Sequence, residues 1–277
     1  MINIPYKRVT AALAFVSLAS ASGITIADQS PALDRVSIWL GAYYPNVDTN
    51  LGANYQNGLL KGNVNLEREL RFQDHKIVPR ARLDFLIGDS QGFSFDYTNF
   101  NRTQSKTLGT DVSFGGHNYD ATATVRAKLN FDMGSAAYRW WFGHSSDVFG
   151  VGLGAAYYRV NAGVSGQVSV NGINVGQAST TREDSAWAPM LQLGWRHAFN
   201  DSWRMYADAS GVKKNGGNLN GHIYNAALGL EWFPWHNVGV GAEYDYTKIS
   251  LNQDRHTYDD DLRMRLNGPS VFLRLRF

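Results

Sequence analysis

One short stretch of the sequence places a histidine beside a run of carboxylates: His256 is followed by Asp259, Asp260 and Asp261. An imidazole near carboxylates can act as a general base, and clustered carboxylates can bind a divalent cation. An acidic run in a polar segment is more commonly a solvated surface, and no two histidines have the spacing of metal ligands. We therefore predict no catalytic residue, no metal site and no cofactor, and keep these four residues as a weak candidate for a metal or hydrolytic site.

Charged side chains recur at every second position of segments whose other positions are apolar. In residues 77–87, for example, arginine and aspartate alternate with alanine, leucine and phenylalanine. Alternation of period two indicates a β-strand with two unlike faces, so we expect the charged faces to line one common interior. The principal interior charges predicted in this way are Arg80, Arg82, Asp84, Arg126, Arg204, Asp208, Glu243, Asp245, Arg274 and Arg276.

The predicted interior charges carry both signs, and this limits what the interior can do. Charged groups in a narrow space must pair, because an unpaired buried charge costs several kcal/mol. One interpretation is a rigid interior closed by salt bridges, and the other is a narrow charged channel for small solutes. A wide diffusion pore is disfavoured, since such pores use about 16 strands.

Ten segments of the chain carry the alternation that would position these charges. They lie at 35–44, 77–87, 93–98, 121–142, 148–160, 187–196, 203–212, 224–232, 238–246 and 268–277. The apolar face changes parity within 121–142, which predicts a β-bulge near 133–135. The predicted fold is all-β: an antiparallel, up-and-down transmembrane β-barrel of about ten strands, with eight or twelve strands as alternatives.

The connections between these segments alternate in length along the chain. Short turns are predicted at 88–92, 143–147, 200–202 and 234–237, and longer polar loops at 45–75, 103–117, 163–185, 213–221 and 252–262. Short turns at one end and long loops at the other are typical of a membrane barrel, in which the short turns face the periplasm. A soluble β-sandwich has no reason to keep this alternation.

The last predicted strand has two unlike faces. Leu273, Leu275 and the terminal Phe277 share one face, opposite Arg274 and Arg276. This ending resembles the closing strand of Gram-negative outer-membrane β-barrel proteins, whose assembly machinery reads the terminal segment. The resemblance implies a location in the outer membrane, with membrane lipid, lipopolysaccharide and the barrel-assembly machinery as partners.

The N-terminus predicts export. Residues 1–27 are typical of a secretory signal peptide, with a charged start, a short apolar run and cleavage expected after Ala21 or Ala27. The remaining residues, 28–277, then form a single barrel domain. Without Lys7 and Arg8 the chain has 24 basic and 24 acidic residues, a balance that argues against nucleic-acid binding. It contains no cysteine, which excludes disulfides and thiolate metal sites.

Three functions remain open from the sequence. The first is a non-enzymatic barrel that is structural or forms a narrow solute channel. The second is a surface-binding barrel that acts through its long loops, and the third is a barrel hydrolase that would depend on His256. No sequence feature indicates an oligomeric state.

Overall fold

The computed structural model describes residues 30–277, except 56–60, 66–75, 108–111, 115–116, 120–123, 144, 171–172, 217–218 and 256–257. The predicted signal peptide and His256 therefore lie outside the described residues. Within the described part of the chain, no helix is long and apolar enough to cross a membrane.

Fourteen β-strands make up the described chain and are numbered in chain order. They are β1 (Val36–Tyr43), β2 (Asn46–Tyr55), β3 (Lys61–Asn65), β4 (Val78–Leu86), β5 (Gln91–Thr107), β6 (Val112–Phe114), β7 (His117–Tyr119), β8 (Thr124–Phe142), β9 (Asp147–Val170), β10 (Ile173–Ala198), β11 (Trp203–Lys214), β12 (Leu219–Trp232), β13 (Val238–Arg255) and β14 (Tyr258–Arg276). Ten of them, β1, β4, β5 and β8 to β14, pair in antiparallel order, and β1 closes the barrel against β14. The predicted ten-stranded antiparallel barrel is confirmed.

The first strand of the barrel continues beyond an interruption. β2 follows β1 after Pro45 and keeps the pairing with β14 in an unbroken register, from the pair Tyr43–Ser270 to the pair Asn46–Asn267. Proline has no N–H group for the ladder, so the interruption falls where it stands. β3 forms a hairpin with β2, and β6 and β7 form a short hairpin between β5 and β8.

Side chains alternate between the two faces of the wall, as the sequence predicts. The outward face carries a band of large apolar and aromatic side chains, which suits contact with lipid. Exposed members of this band include Leu40, Phe95, Phe142, Phe149, Leu153, Leu193, Leu228, Val240 and Leu273. Trp140, Trp203 and Trp232 lie near strand ends, where tryptophan favours a membrane–water interface.

The two ends of the barrel differ, and we name them by the convention for membrane barrels. The four predicted short turns lie at one end, the periplasmic end. The connections at 163–185 and 252–262, predicted as loops, are instead β-hairpins at the extracellular end, and β9 pairs with β10 as far as Val170 and Ile173. The prediction was wrong because these segments have a polar sequence without apolar alternation, and the period-two signal of a strand is then absent.

The predicted bulge at 133–135 is wrong. β8 runs from Thr124 to Phe142 in unbroken register with β5 and β9. Its odd-numbered side chains face inward throughout, from the buried Leu129 to the buried Arg139. The environment changes along the strand instead: towards the periplasmic end, the outer face becomes aromatic and the inner face becomes charged.

The same observation shows that the prediction of Arg126 as an interior charge is wrong. Arg126 is exposed on the outer face of β8, beside the buried Ala127, and is not an interior charge. At this end of β8 the outer face meets water and the inner face packs against apolar side chains, so the charged residue points outward. The other nine predicted interior charges do face the barrel interior.

The barrel interior divides into two layers. An apolar core occupies most of the extracellular half, where Arg102 is also buried beside Phe100, and its members include Tyr43, Val47, Val78, Phe100, Leu129, Phe131, Tyr158, Met190, Ile223, Ile249, Met264 and Leu266. The periplasmic half holds charged side chains together with the aromatic cluster of Trp39, Tyr206 and Phe272. The charged layer is the candidate site.

Candidate functional site

An ionic network occupies the periplasmic half of the barrel interior. Its described members are seven arginines and seven carboxylates, and their charges balance, as burial requires. The arginines are Arg80, Arg82, Arg139, Arg196, Arg204, Arg274 and Arg276; the carboxylates are Asp34, Asp84, Asp96, Asp208, Glu231, Glu243 and Asp245. Nine of the ten predicted interior charges belong to this network.

Asp208 on β11 connects this strand to three others by binding three guanidinium groups. Arg196 on β10 donates to both of its carboxylate oxygens, at 3.0 and 2.9 Å. Arg82 on β4 donates at 2.9 Å, and Arg139 on β8 lies 3.6 Å away. Arg139 also donates to Gln192 at 2.5 Å. Bidentate arginine–carboxylate pairs are among the strongest hydrogen bonds in proteins, so Asp208 is a central tie of the network.

Arg80 has the converse role, since one guanidinium meets three carboxylates. It lies 3.1 Å from Asp96, 2.9 Å from Glu243 and 3.0 Å from Asp245. The hydroxyl of the buried Tyr206 donates a short hydrogen bond to the other oxygen of Glu243. This group links β4 and β5 to β11 and β13 across the interior.

Asp34 precedes the first strand and binds the arginines nearest the periplasmic end. Arg204 donates to both of its oxygens, at 2.8 and 2.9 Å, and Arg274 donates at 2.6 Å. Arg274 also reaches Glu231 at 2.5 Å. Burial favours a raised pKa for the Asp34 carboxyl, but the guanidinium groups of Arg274 and Arg204 outweigh it and hold the pKa below its ordinary value.

The sequence analysis missed Asp34 because it looked for interior charges inside strands. The segment 30–34 turns into the periplasmic mouth of the barrel, where Ala32 and Leu33 pack in one cluster with Trp141 and Val148. An apolar pair followed by a carboxylate, directly before the first strand, was the available signal. This segment covers the ionic network from the periplasmic side.

Aromatic rings fill the space between the charged groups. The guanidinium of Arg274 lies 4.3 Å from the ring centre of Trp39, and that of Arg276 lies 3.9 Å from the ring centre of Phe233. Such cation–π contacts strengthen when water is excluded. Inward glycines make room for these rings: a Cβ at Gly241 would overlap the ring of Phe272.

Little free space remains between the two interior layers. A cavity of about 90 Å³ lies between them, with Arg80, Asp245 and Asp208 on its charged side and Phe131 and Ile249 on its apolar side. A volume of this size holds a few water molecules. The described interior therefore provides a packed, charge-paired core with a small polar cavity.

The remaining predicted site residues do not join the ionic network. His256 lies outside the described residues, β14 includes Asp259 and Asp260, and Asp261 is paired with Arg263 at 3.2 Å. Within the described part of the chain, no group of three or more histidines and carboxylates could hold a metal ion. The terminal-strand residues Leu273 and Phe277 are exposed on the outer wall, and Leu275 is partly exposed there.

Comparison with solved structures identifies the architecture. The chain aligns with the outer-membrane protease OmpT from Escherichia coli at a TM-score of 0.53 and 10% sequence identity, over 87% of this chain and 97% of that one. The chain has the fold of a Gram-negative outer-membrane β-barrel. At this identity the likeness concerns the fold alone. The location in the outer membrane that the sequence predicts agrees with this fold.

Other similar structures are less alike. The outer-membrane protein OprG from Pseudomonas aeruginosa aligns at a TM-score of 0.42 and 10% identity, over 90% of this chain and 99% of OprG. Ail, the attachment invasion locus protein of Yersinia pestis, aligns at a TM-score of 0.32 and 10% identity, over 86% of this chain and 99% of Ail. No protein-family model matches the chain, and no curated protein matches its sequence significantly.

A pH-dependent contribution to stability is expected from Asp34. Because its pKa is lower in the folded protein than in the unfolded chain, the stabilisation is complete above about pH 4 and is lost as the pH falls through the folded-state pKa. We expect Asp34→Asn to lower the free energy of unfolding at neutral pH by about 2 kcal/mol. The difference from the unsubstituted protein should shrink in acid. Urea unfolding in lipid vesicles, at neutral and at acidic pH, measures the difference between the two proteins. An equal difference at both pH values would contradict the assignment.

Proposed function

We propose that the protein is a non-enzymatic, structural barrel of the outer membrane whose interior is closed to solutes. The observation that carries this proposal is the balanced ionic network of seven arginines and seven carboxylates in the described periplasmic half. Pairing of this kind neutralises the interior and joins distant strands. A conduit would instead leave charged groups facing a continuous water-filled path.

Two further layers support a closed interior. On the periplasmic side, Ala32 and Leu33 are buried in the mouth of the barrel. On the extracellular side, the apolar core places Phe100, Leu129 and Tyr158 across the path that a solute would take. Neither an ion nor a polar solute is stabilised by such a layer, because transfer of a charge into an apolar region costs many kcal/mol.

Single-channel recording tests this proposal. We expect the refolded, urea-washed protein to insert into a planar bilayer without discrete conductance steps, because the interior has no continuous polar path. Insertion is verified independently by protease protection and by heat-modifiable mobility on gels. A known porin, refolded in the same way, is the positive control. Ion-selective steps from the inserted protein would contradict the proposal and favour the narrow-channel interpretation.

Surface binding is the second candidate, and the extracellular hairpins favour it. β9 and β10 stay paired over 13 further residue pairs beyond the Tyr157–Trp187 pair, as far as Val170 and Ile173. At about 3.3 Å per residue this corresponds to about 40 Å of paired strand beyond the aromatic band. Hairpins carried on a rigid wall can present a recognition surface to a molecule outside the cell. A barrel that inserts into the bilayer without conducting ions is compatible with this function.

We propose that Leu273, Leu275 and Phe277 form the segment read by the barrel-assembly machinery, since the outward face is apolar from Val271 to Phe277. A hydrolytic function would require an activity that is lost in His256→Ala. At the periplasmic rim, Asp147 lies 2.8 Å from His197, but the nearby Ser146 hydroxyl is directed at the carboxylate and not at the imidazole.

A further inference from the structure

The outer wall carries a concentration of positive charge on one side of the barrel. Five basic side chains point outward from β11 to β14, and we call them the basic patch: Lys213, His222, Lys248, Arg263 and Arg265. The strand register sets them in two adjacent rows. One row contains Lys248 directly opposite Arg265, and the row above it contains Lys213 opposite His222. Arg263 lies in the upper row, opposite Ser250.

The Lys248–Arg265 pair in the lower row is electrostatically unfavourable on its own. Like charges directly opposite each other on neighbouring strands destabilise a sheet. Neither Lys248 nor Arg265 forms an ion pair with any residue that the structure describes. Two carboxylates face the patch among the side chains that the structure describes: Asp48 lies opposite Arg265 on β2, and Asp261 is bound to Arg263. The patch keeps a net positive charge, which an anionic ligand would compensate.

The position of the basic patch along the barrel wall indicates the class of anionic ligand that would bind there. Three outward tyrosines, Tyr224, Tyr244 and Tyr246, lie in or just below its lower row on β12 and β13. The ring of Tyr224 is 5.0 Å from that of His222. Outward tyrosines between an apolar band and charged residues mark the interface between lipid tails and headgroups. The basic patch therefore stands at the level of the lipid headgroups on the extracellular side.

The described part of the opposite wall lacks this excess of charge at the same height. Above the aromatic Tyr157 and Trp187, the first outward positions are Asp132 and Arg159. Arg159 is paired with Glu183 at 2.5 Å, so the charges there compensate each other. The basic residues on that wall, Lys128 and Arg126, lie four and six residues farther along β8 from the band than Asp132. Among the residues that the structure describes, the excess of positive charge at headgroup level thus lies on one side.

We propose that the basic patch binds the phosphate groups of a phosphorylated glycolipid of the outer leaflet, the lipid A portion of lipopolysaccharide. Lysine and arginine form charge-assisted hydrogen bonds with phosphate oxygens, and two rows of cations match a ligand with more than one phosphate. Tyr224 and Tyr246 then contact the sugar and the start of the acyl chains. The inference rests on the outer-membrane location proposed above, but it does not depend on a closed interior.

The test uses a pair of charge-removing variants with equal changes in charge. Lys248→Gln with Arg265→Gln removes two cations from the patch, and Arg126→Gln with Lys128→Gln removes two from the opposite wall as the control. Each protein is refolded in detergent micelles and titrated with bisphosphorylated lipid A, with chemically dephosphorylated lipid A, and with inorganic phosphate. Native mass spectrometry counts the bound lipid.

The unsubstituted protein and the control should bind lipid A at least about tenfold more tightly than its dephosphorylated form, and the patch variant should lose most of that preference. Inorganic phosphate should compete only weakly. Equal binding of both lipids, or an equal loss in both variants, would overturn the proposal, as would competition by free phosphate as strong as that by lipid A. If the patch variant fails to fold, Lys213→Gln with Arg263→Gln provides the same test in the upper row. A conducting barrel that binds lipid A would overturn only the closed interior.

Discussion

Replacing Asp208 with alanine is expected to lower the free energy of unfolding by about 3–5 kcal/mol. The substitution leaves three guanidinium groups without their shared carboxylate: Arg82, Arg139 and Arg196 are all buried in the barrel interior. A buried charge that loses its partner keeps its desolvation penalty without the compensating attraction. Urea titration of the protein in phospholipid vesicles, followed by tryptophan fluorescence, measures the change.

Glu183→Ala is the matched control for this prediction. Glu183 is also paired with an arginine, Arg159, but both side chains are 47% exposed on the outer face of the extracellular hairpin. Ion pairs in water contribute about 1 kcal/mol or less, so this variant should unfold nearly like the unsubstituted protein. If the two variants were equally mild, the interior network would be hydrated rather than dry, and the narrow-channel interpretation would gain support.

Replacing Leu129 with alanine should cost about 2–5 kcal/mol. Leu129 is 1% exposed and lies in the apolar core of the extracellular half, where its removal leaves a cavity that the surrounding strands cannot close. The adjacent Lys128 is exposed on the outer face, so Lys128→Ala should change the free energy of unfolding by about 0.5 kcal/mol or less. The same vesicle-based urea titration compares the two.

This pair of substitutions also tests the direction in which β8 faces. With a bulge at 133–135, as the sequence alone predicts, Lys128 would point inward and Leu129 would point towards the outside. A larger loss of stability in Lys128→Ala than in Leu129→Ala would therefore contradict the continuous register of β8 with β5 and β9.

The barrel fold could be predicted from the sequence alone because the evidence for it is local to each segment. Neighbouring side chains of a strand lie on opposite faces of the sheet. Because one face of this barrel contacts lipid and the other is charged, apolar and charged residues alternate with a period of two in each segment. In 77–87 and 268–277 this pattern predicted both the strands and the inward direction of Arg80, Arg82, Arg274 and Arg276. The alternation of short and long connections then predicted the up-and-down order.

The partners within the ionic network could not be predicted in this way. Asp208 meets Arg82 across 126 positions of sequence, and Asp34 meets Arg274 across 240. Which carboxylate meets which guanidinium depends on how the strands are staggered around the barrel, and this stagger is a property of the closed sheet. The closing role of Asp34 likewise appears only when the segment before β1 is folded into the mouth.

The direction of β8 shows most clearly what the tertiary structure decided. A period of two identifies two faces, but it does not say which face is inside. Along Arg126–Leu129, polar and apolar residues alternate as they do in the membrane-spanning part of the strand. Here, however, the polar residues face outward and the apolar residues face inward. Outside the bilayer, water replaces lipid at the outer face and the interior becomes apolar, so the register stays constant while the chemistry of each face reverses. The sequence determined the strands and their alternation; the position of each strand relative to lipid, water and the packed interior was decided by the closed barrel.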